Sequence, residues 1–454
     1  MSYLTEGSER SMLTESNLFY VPPTLTERIA THDVYIGPSA ATFDDANDIL
    51  FEVAPSTDLI SLADIRFECE LFILKANGQA FDASDNVCPI NNILGSLFQS
   101  VTVEVAGRSI NDASNLYFVR SYLENLLGYN SEAMKSQLTS SGFVLDSTQN
   151  NANFSGTYVT AATGPPALPA MNKFDNQDQI KRSEWIKKMS PLQLSGKIHC
   201  DLFQQDKPLI PGVSLSIKMV RARNVLTFTA LTNAGVPRAV IRKPRLFVRK
   251  YEPSAGYMNA LSKRLLRAPA VYHFERVQMR QATIAGGLQT AEWPNLVAGQ
   301  LPKMMLVCLV SSAALSGSHD TTPFYLDHFD VSYLNAEIDG KLYPSGGYTM
   351  DFGTHQTLSS YDGLCRVMEV FNNADRALPF SRTEYEKGFT IFGFDFTPGG
   401  TSRGALTIIK QENLNLNIRF QKQLPNAINI IAYLVFDSTI SINNNRQAIF
   451  DFSA

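Results

Sequence analysis

At two places in this sequence a histidine and an aspartate are neighbours, and both residue types can bind metal ions. His319 is followed by Asp320, and Asp327 is followed by His328. A zinc site needs three or four protein ligands, and the spacing around either pair implies no third ligand. We therefore interpret these residues as polar groups at a loop and at a strand edge, and we predict no metal site.

His199 and Asp201 form a third grouping, in which the side chains lie two positions apart in an alternating segment. Residues at this spacing in a β-strand point to the same face of the sheet. We predict that His199 and Asp201 lie on the polar face of one strand and pair with each other. This would be a surface pair and not an active site.

The glycine-rich segment TPGGTSRG at 397–404 has part of the composition of a phosphate-binding loop. It lies between two predicted strands, lacks a Lys-Ser or Lys-Thr pair, and precedes no helix whose N-terminus could bind phosphate. A hairpin loop is the simpler interpretation. No Ser, His and Asp set carries a nucleophile elbow. The sequence therefore predicts no catalytic residue, no cofactor and no enzyme.

The five cysteines are scattered along the chain without any C-x-x-C spacing, which predicts neither a zinc site nor a disulfide framework. They are Cys69, Cys88, Cys200, Cys308 and Cys365. Cys69 and Cys200 fall on the apolar phase of alternating segments, where a cysteine behaves as a small buried hydrophobic residue. We predict free thiols in a reducing compartment, either the cytoplasm or the nucleus.

Charge is distributed unevenly, although the formal net charge is only -4. Residues 1–60 contain ten acidic and two basic side chains, whereas 238–280 contains eleven Lys or Arg and two Glu. Few aromatic residues accompany the basic segment, and no nucleic-acid-binding motif surrounds it. We favour contact of this segment with acidic neighbours, including N-terminal arms, over direct contact with nucleic acid.

The elements that must position these residues are mostly strands, because apolar and polar residues alternate in many segments. Examples are 65–73, 101–105, 213–219 and 414–420. This pattern indicates half-buried antiparallel strands. Helical signals are few, and two of them are described by their spacing. One predicted helix spans 115–127, with Asn115 as its N-cap and Gly128 at its end, and the other lies near 359–373, with Leu364, Val367, Met368 and Phe371 on one face.

The two halves of the chain repeat the same order of parts. A strand ending at the turn Ala106-Gly107 precedes the first helix, and a strand ending at Asp339-Gly340 precedes the second. The predicted strands at 195–203, 213–222 and 240–251 then correspond to those at 387–396, 413–422 and 427–440. Roughly eight short strands in each half predict an all-β chain of two tandem eight-stranded jelly-roll β-sandwiches with a few short helices.

The predicted organisation follows from this repeat and from the length of 454 residues, which is too long for one core. We expect an extended N-terminal arm at 1–30, with Pro22-Pro23 stiffening it, a first jelly roll at 31–252, a linker with a short helix at 253–266, and a second jelly roll at 267–454. A long, Ser-, Asn- and Pro-rich connection at about 129–189 is predicted to form a surface tower. No segment approaches the roughly 20 apolar residues of a membrane span, and the N-terminus lacks the features of a signal peptide.

Three passages resemble the major capsid proteins of Polinton or Maverick elements and of adintoviruses. They are SNLFYVPPTLTERIATHDVYIGPSA at 16–40, INNILGSLFQSVTVEVAG at 90–107, and SGKIHCDLFQQDKPLIPGVSLSIKMVRARNVLTF at 195–228. The resemblance is strongest in the first half of the chain. The second half is the weaker match, and its assignment depends mainly on the internal repeat.

This resemblance implies a structural protein that forms homotrimers, with six sandwiches in each pseudo-hexagonal capsomer, and that builds an icosahedral virion around double-stranded DNA. The implied partners are further copies of the chain, a penton or minor capsid protein at the vertices, and a maturation protease acting on other virion components. Encapsidated DNA could contact the basic 238–280 region. Assembly is expected in the host cytoplasm or nucleus.

Two other interpretations fit the same sequence. Jelly rolls also occur in carbohydrate-binding proteins and in cupins, although cupin sites need clustered histidines and the six histidines of this chain are dispersed. The chain could also be a domesticated host protein that keeps the fold and forms no particles.

Overall fold

The computed structural model describes residues 18, 21, 27–39, 48–81, 87–110, 114–146, 177–186, 191–230, 237–317, 322–371, 376–397 and 410–451. The strands up to Pro253 are β1 (Arg28–Ile36), β2 (Ile49–Val53), β3 (Leu59–Ile60), β4 (Arg66–Lys75), β5 (Val87–Pro89), β6 (Phe98–Val105), β7 (Arg108–Ser109), β8 (Leu192–Lys197), β9 (Leu215–Arg221), β10 (Phe228–Ala230) and β11 (Pro237–Pro253). The later strands are β12 (Ala270–Ile284), β13 (Thr290–Gln300), β14 (Met304–Ser311), β15 (Val331–Ile338), β16 (Lys341–Thr349), β17 (Ile391–Asp395), β18 (Gln411–Phe420), β19 (Ile428–Ile442) and β20 (Ala448–Phe450).

The helices are short and lie between strands. They are α1 (Ile93–Ser96), α2 (Tyr117–Gly128), α3 (Ser131–Lys135), α4 (Gln177–Glu184), α5 (Ala255–Leu265), α6 (Ser312–Ser316), α7 (Leu358–Val367) and α8 (Arg382–Tyr385). Short 3-10 helices occupy Gln137–Ser141, Asp201–Gln204 and Asn224–Leu226. Helix α5 lies between β11 and β12, and Ser254 caps its N-terminus by accepting a hydrogen bond from the Tyr257 backbone N–H.

The strand order is the same in the two halves. In the first half, the two large sheets run β1-β11-β4-β8 and β2-β9-β6-β7. In the second half, they run β12-β19-β14-β17 and β13-β18-β15-β16. The eight strands in the first-half orders therefore correspond in chain order to the eight in the second half, from β1 with β12 to β11 with β19. Every pairing within these orders is antiparallel. The predicted fold class, two tandem eight-stranded jelly rolls, is confirmed.

The turns that open the repeated segment have matching backbones. Ala106 and Gly107 have φ values of 51° and 74°, and Asp339 and Gly340 have φ values of 48° and 77°. Two successive residues with positive φ in a two-residue hairpin form the tight turn whose twist suits antiparallel strands. The internal repeat that the sequence predicts thus extends to the backbone of individual turns.

Apolar side chains of the two sheets meet to form the core of each sandwich. In the first, Phe67 of β4 makes edge contacts with Phe51 of β2 and Phe98 of β6, at ring-centroid distances of 6.0 and 5.4 Å. In the second, Tyr348 of β16 lies 5.2 Å from Phe394 of β17. Alternation explains this arrangement, because Phe67, Cys69, Leu71 and Ile73 are buried in β4 while Arg66 is exposed.

Several predicted boundaries were wrong. Helix α2 begins at Tyr117, so Leu116 and not Asn115 occupies the N-cap position. Helix α7 spans Leu358–Val367 and ends before Glu369, which has a positive φ of 54° that ends helical geometry. Phe371, predicted to share the buried face of that helix, is therefore half exposed. The strands predicted at 195–203 and 387–396 are shorter, and β1 already begins inside the predicted arm.

The described ends of the predicted tower connection pack against the first sandwich. Arg182 of α4 is buried, forms an ion pair with Asp146, and donates from Nε to the Pro89 carbonyl oxygen at 3.1 Å. Residues 147–176 and 187–190, where a tower would project, lie outside the described residues, as do most of the arm and the segment 398–404 of the glycine-rich motif.

Candidate functional site

A buried ionic network lies where the two sandwiches meet. Arg120 and Glu124 are one turn apart in α2, and the Arg120 Nε donates to Glu124 Oε1 at 2.8 Å. The same guanidinium pairs with Asp201 at the start of the 3-10 helix that follows β8. Tyr433 of β19, in the second sandwich, donates its hydroxyl to Glu124 Oε1 at 3.3 Å. One helix of the first sandwich therefore connects its own strands to those of the second.

Burial and pairing shift the protonation equilibria of these groups in different directions. Burial alone would raise the pKa of Glu124, but Arg120 and His199 outweigh it and lower that pKa to about 2. Burial raises the pKa of Asp201, against the attraction of Arg120. The pKa of Arg120 is raised by both carboxylates, although burial opposes this. The guanidinium of Arg120 thus connects helix α2 to the 3-10 helix that follows β8.

The predicted surface pair of His199 and Asp201 was wrong. Strand β8 ends at Lys197, so the two side chains do not share a strand face. Asp201 is 1% exposed and pairs with Arg120, while His199 Nδ1 lies 2.7 Å from Glu124 Oε2. The partners are 75 and 81 positions away in sequence. The only sequence signal for this network is the four-residue spacing of Arg120 and Glu124.

Each half of the chain also contributes apolar side chains to the core of the other half. Helix α2 contributes Phe118, Val119, Tyr122 and Leu126 to the apolar cluster that contains the core of the second sandwich. Conversely, the second half contributes residues to the cluster of the first sandwich, and these are Tyr272, Phe274, Ile440, Ile442 and Ala448. Since each sandwich holds side chains from the other, the two cores are not independent.

Basic residues of β11 pair with acidic residues of the neighbouring strands. Lys243 Nζ lies 3.0 Å from Glu70 and Arg245 Nε 2.8 Å from Glu68, both in β4. Arg249 Nε lies 2.9 Å from Asp33 in β1. The basic segment thus contacts acidic neighbours within its own sheet. Lys263 and Arg264 at the end of α5, and Arg267 just beyond it, are exposed.

His328 and the five cysteines lie in separate parts of the fold. His328 stacks on Phe352 at 4.1 Å and accepts a hydrogen bond from the Asp330 backbone N–H at Nδ1, so it orders a turn. His319 and Asp320 lie outside the described residues. All five cysteines are buried free thiols. In the described part of the chain, no group of three or more His, Cys, Asp or Glu side chains is placed to hold a metal ion.

No helix within the described ranges is both long and apolar enough to cross a membrane. A comparison with protein-family models finds no match. Over 368 residues the chain is 23% identical to a Caenorhabditis elegans protein described as uncharacterized protein F54H12.2, covering 80% of this chain and 81% of the nematode protein.

Solved structures give matches over nearly the whole chain. The structure of the Sputnik virophage, determined by cryo-EM at 3.5 Å, aligns with a TM-score of 0.63 and 12% identity, covering 99% of this chain and 94% of that chain. The Faustovirus major capsid protein aligns with a TM-score of 0.56 and 9% identity, covering 94% and 92%. The mavirus major capsid protein aligns with a TM-score of 0.50 and 10% identity, covering 99% and 97%. The chain therefore has the double jelly-roll fold of these viral major capsid proteins.

Proposed function

We propose that this chain is the major structural subunit of a capsid, of the kind found in Polinton or Maverick elements and adintoviruses. The observation that carries the proposal is the whole-chain likeness to the Sputnik structure, which covers both sandwiches and their junction. A single jelly roll occurs in many unrelated proteins, so one sandwich alone would support no function. Two sandwiches joined in tandem in the same order are a more specific feature.

The junction suits a building block that must keep its shape. Because helix α2 joins the two sandwiches through Arg120, Glu124 and Tyr433, and because the cores exchange side chains, the two sandwiches present fixed outer surfaces. Three copies would give six sandwiches in a pseudo-hexagonal capsomer. Interfaces of roughly 2,000 Å² or more would be needed for a permanent trimer.

Within this proposal, the first jelly roll begins with β1 and ends at 252, the linker spans 253–266 and the second jelly roll spans 267–454. The arm that precedes β1 reaches a neighbouring subunit, and the 129–189 connection forms the tower. Capsomers would tile an icosahedral shell around double-stranded DNA and meet a penton protein at the vertices. Assembly would take place in the host cytoplasm or nucleus. Lys263, Arg264 and Arg267 of the 238–280 region are exposed, and the proposal assigns the contact with packaged DNA to them.

Size-exclusion chromatography with light scattering tests the proposal directly. The purified chain should have a mass of about 150 kDa, three times the 50.3 kDa of one chain. Negative-stain images should show hexagonal particles with six lobes. A chain that stays monomeric at high concentration would overturn the proposal.

A domesticated host protein with the same fold is the second candidate. The likeness to a nematode protein over most of both chains is the observation that favours it. Electron microscopy of the chain expressed alone and with a candidate penton protein separates the two candidates, because only a capsid subunit should form closed shells.

A further inference from the structure

A row of three cross-strand partners crosses the outer face of the first sandwich. Tyr35 of β1 lies opposite Phe247 of β11, which lies opposite Arg66 of β4. Residues directly opposite each other on neighbouring strands share one side of the sheet. The adjacent residues Leu246 and Phe67 belong to the first core. Because successive residues of a strand point to opposite faces, this row, called the open row below, faces away from that core.

The open row is aromatic and cationic. The Tyr35 and Phe247 rings make an edge contact with centroids 5.5 Å apart. The Arg66 guanidinium lies 4.5 Å from the centroid of Phe247, and the Arg245 guanidinium lies 4.4 Å from that of Tyr35. Tyr35 is 53% exposed, and Arg66 and Arg245 are also exposed. Since tyrosine and arginine are enriched at protein–protein interfaces, this surface has the composition of an interface.

The corresponding strands of the second sandwich carry a row that is covered. Met279 of β12 lies opposite Tyr433 of β19, which lies opposite Leu306 of β14. All three side chains are buried. The Tyr433 hydroxyl donates to Glu124 of helix α2, so this row faces the first half of the chain. One sandwich of the repeat therefore has this face buried by its neighbour, and the other has it exposed.

Helices α2 and α7 occupy the same place in the two halves. Helix α2 is the first helix after β7, and α7 is the first helix after β16. Whereas α2 packs against the second sandwich, α7 leaves large apolar side chains exposed. Leu358, its first residue, is 54% exposed, and Phe371, just beyond its end, is 50% exposed. Within the described residues, there is no third sandwich against which α7 could pack.

We propose that the open row of one copy binds the α7 side of the second sandwich of another copy, as the Met279 row binds α2 within one chain. This inference rests on the proposed function, a trimeric capsid subunit, and assigns the surfaces that close the trimer. A contact between two different surfaces can close into a ring. In a ring of six sandwiches, three contacts within chains would alternate with three contacts between chains.

Light scattering of full-length variants over a range of concentrations tests this assignment. Tyr35→Glu and Leu358→Glu each place a charge in the contact. Each should raise the concentration at which half of the chains are trimeric by at least about tenfold, because a few central residues dominate the affinity of an interface. Leu288→Glu is the matched control. Leu288 is 45% exposed in the turn between β12 and β13, and this variant should form trimers as the wild type does.

Two further observations keep this test independent of folding and of the proposed function. Far-UV circular dichroism spectra of all three variants should match the wild-type spectrum. A wild-type chain that stays monomeric would overturn the proposed function and this inference with it. A trimeric wild type whose Y35E and L358E variants remain equally trimeric would overturn this inference alone.

Cysteine cross-linking identifies what binds the open row. When Tyr35→Cys and Leu358→Cys chains are co-expressed, a flexible bis-maleimide should join one to the other, and neither variant expressed alone should be joined. The five native cysteines are buried and should not react in the folded chain. Joining of Y35C chains to one another would mean that two open rows meet, and trimers without cross-links would mean that another segment covers the row. Either result overturns the assignment.

Discussion

The rings of Tyr122 and Phe324 are stacked, with centroids 4.3 Å apart and planes inclined by 15°. Tyr122 belongs to helix α2 of the first sandwich, and Phe324 belongs to the second. Both rings are fully buried. The two halves of the chain are therefore joined by an aromatic contact of the kind that occurs inside a single hydrophobic core.

Replacing Tyr122 with alanine should therefore destabilise both sandwiches together. Loss of a buried aromatic side chain costs about 3–5 kcal/mol of unfolding free energy. A double-mutant cycle with Phe324→Ala should show a coupling of about 0.5–1.5 kcal/mol. Urea titration followed by tryptophan fluorescence and circular dichroism measures both quantities. Tyr122→Phe keeps the stacked rings and serves as the control, and a coupling of zero would contradict the contact.

Arg120→Met should be strongly destabilising, because it leaves the carboxylates of Glu124 and Asp201 buried without their cation. Breaking one partner of a buried ionic group costs about 3–5 kcal/mol. Lys135→Met removes a cation from an exposed pair with Glu132 and should change stability by less than about 1 kcal/mol. Thermal denaturation of both variants provides the comparison. Similar melting temperatures for the two would refute the assigned role of Arg120.

Because the pKa values of Glu124 and Asp201 are shifted in the folded chain, the free energy of unfolding should also depend on pH. The pKa of Glu124 is lowered from 4.5 to about 2 in the folded chain, so its contribution is fully present above pH 4.5 and is lost as pH falls towards 2. Asp201 acts in the opposite direction, because its pKa is raised and the folded chain binds a proton there more readily.

Glu124→Gln isolates the first of these effects. The difference in unfolding free energy between wild type and this variant should fall by up to about 3 kcal/mol between pH 6 and pH 2. Urea titrations at several pH values measure that difference. A difference that is constant over this range would show that Glu124 keeps an ordinary pKa.

The matching turns predict matching effects of substitution in the two halves. Gly107 and Gly340 have positive φ, and a Cβ at either position would meet no atom within 4 Å, so alanine costs conformational energy alone. Gly107→Ala and Gly340→Ala should each lower stability by about 1 kcal/mol. Gly37 is equally open but lacks a positive φ, so Gly37→Ala should be close to neutral. Chemical denaturation of the three variants tests this, and unequal effects at Gly107 and Gly340 would argue against equivalent turns.

The strands and their repeated order could be predicted because each sandwich buries one face of every strand, which imposes a two-residue period. The ionic network could not be predicted in this way. His199 and Asp201 continue an alternating pattern in the sequence, but the backbone turns into a 3-10 helix after Cys200 to bring them to α2. Their partners depend on which helix packs across the junction, and local periodicity carries no information about that contact.

Helix boundaries were missed for a related reason. Phe371 continues the apolar spacing of α7, yet the positive φ of Glu369 redirects the chain before the next turn can form. Amphipathic spacing indicates which face a helix buries, and backbone conformations at its end determine how far it extends.

The exchange of core residues between the sandwiches has a consequence for dissecting the chain. Helix α2 fills part of the second core, and Ile440 and Ile442 fill part of the first. Either half produced by itself would therefore expose apolar surface that the other half covers. A cut between the two sandwiches should yield fragments that associate or aggregate, because the chain folds as one unit despite its two-part architecture.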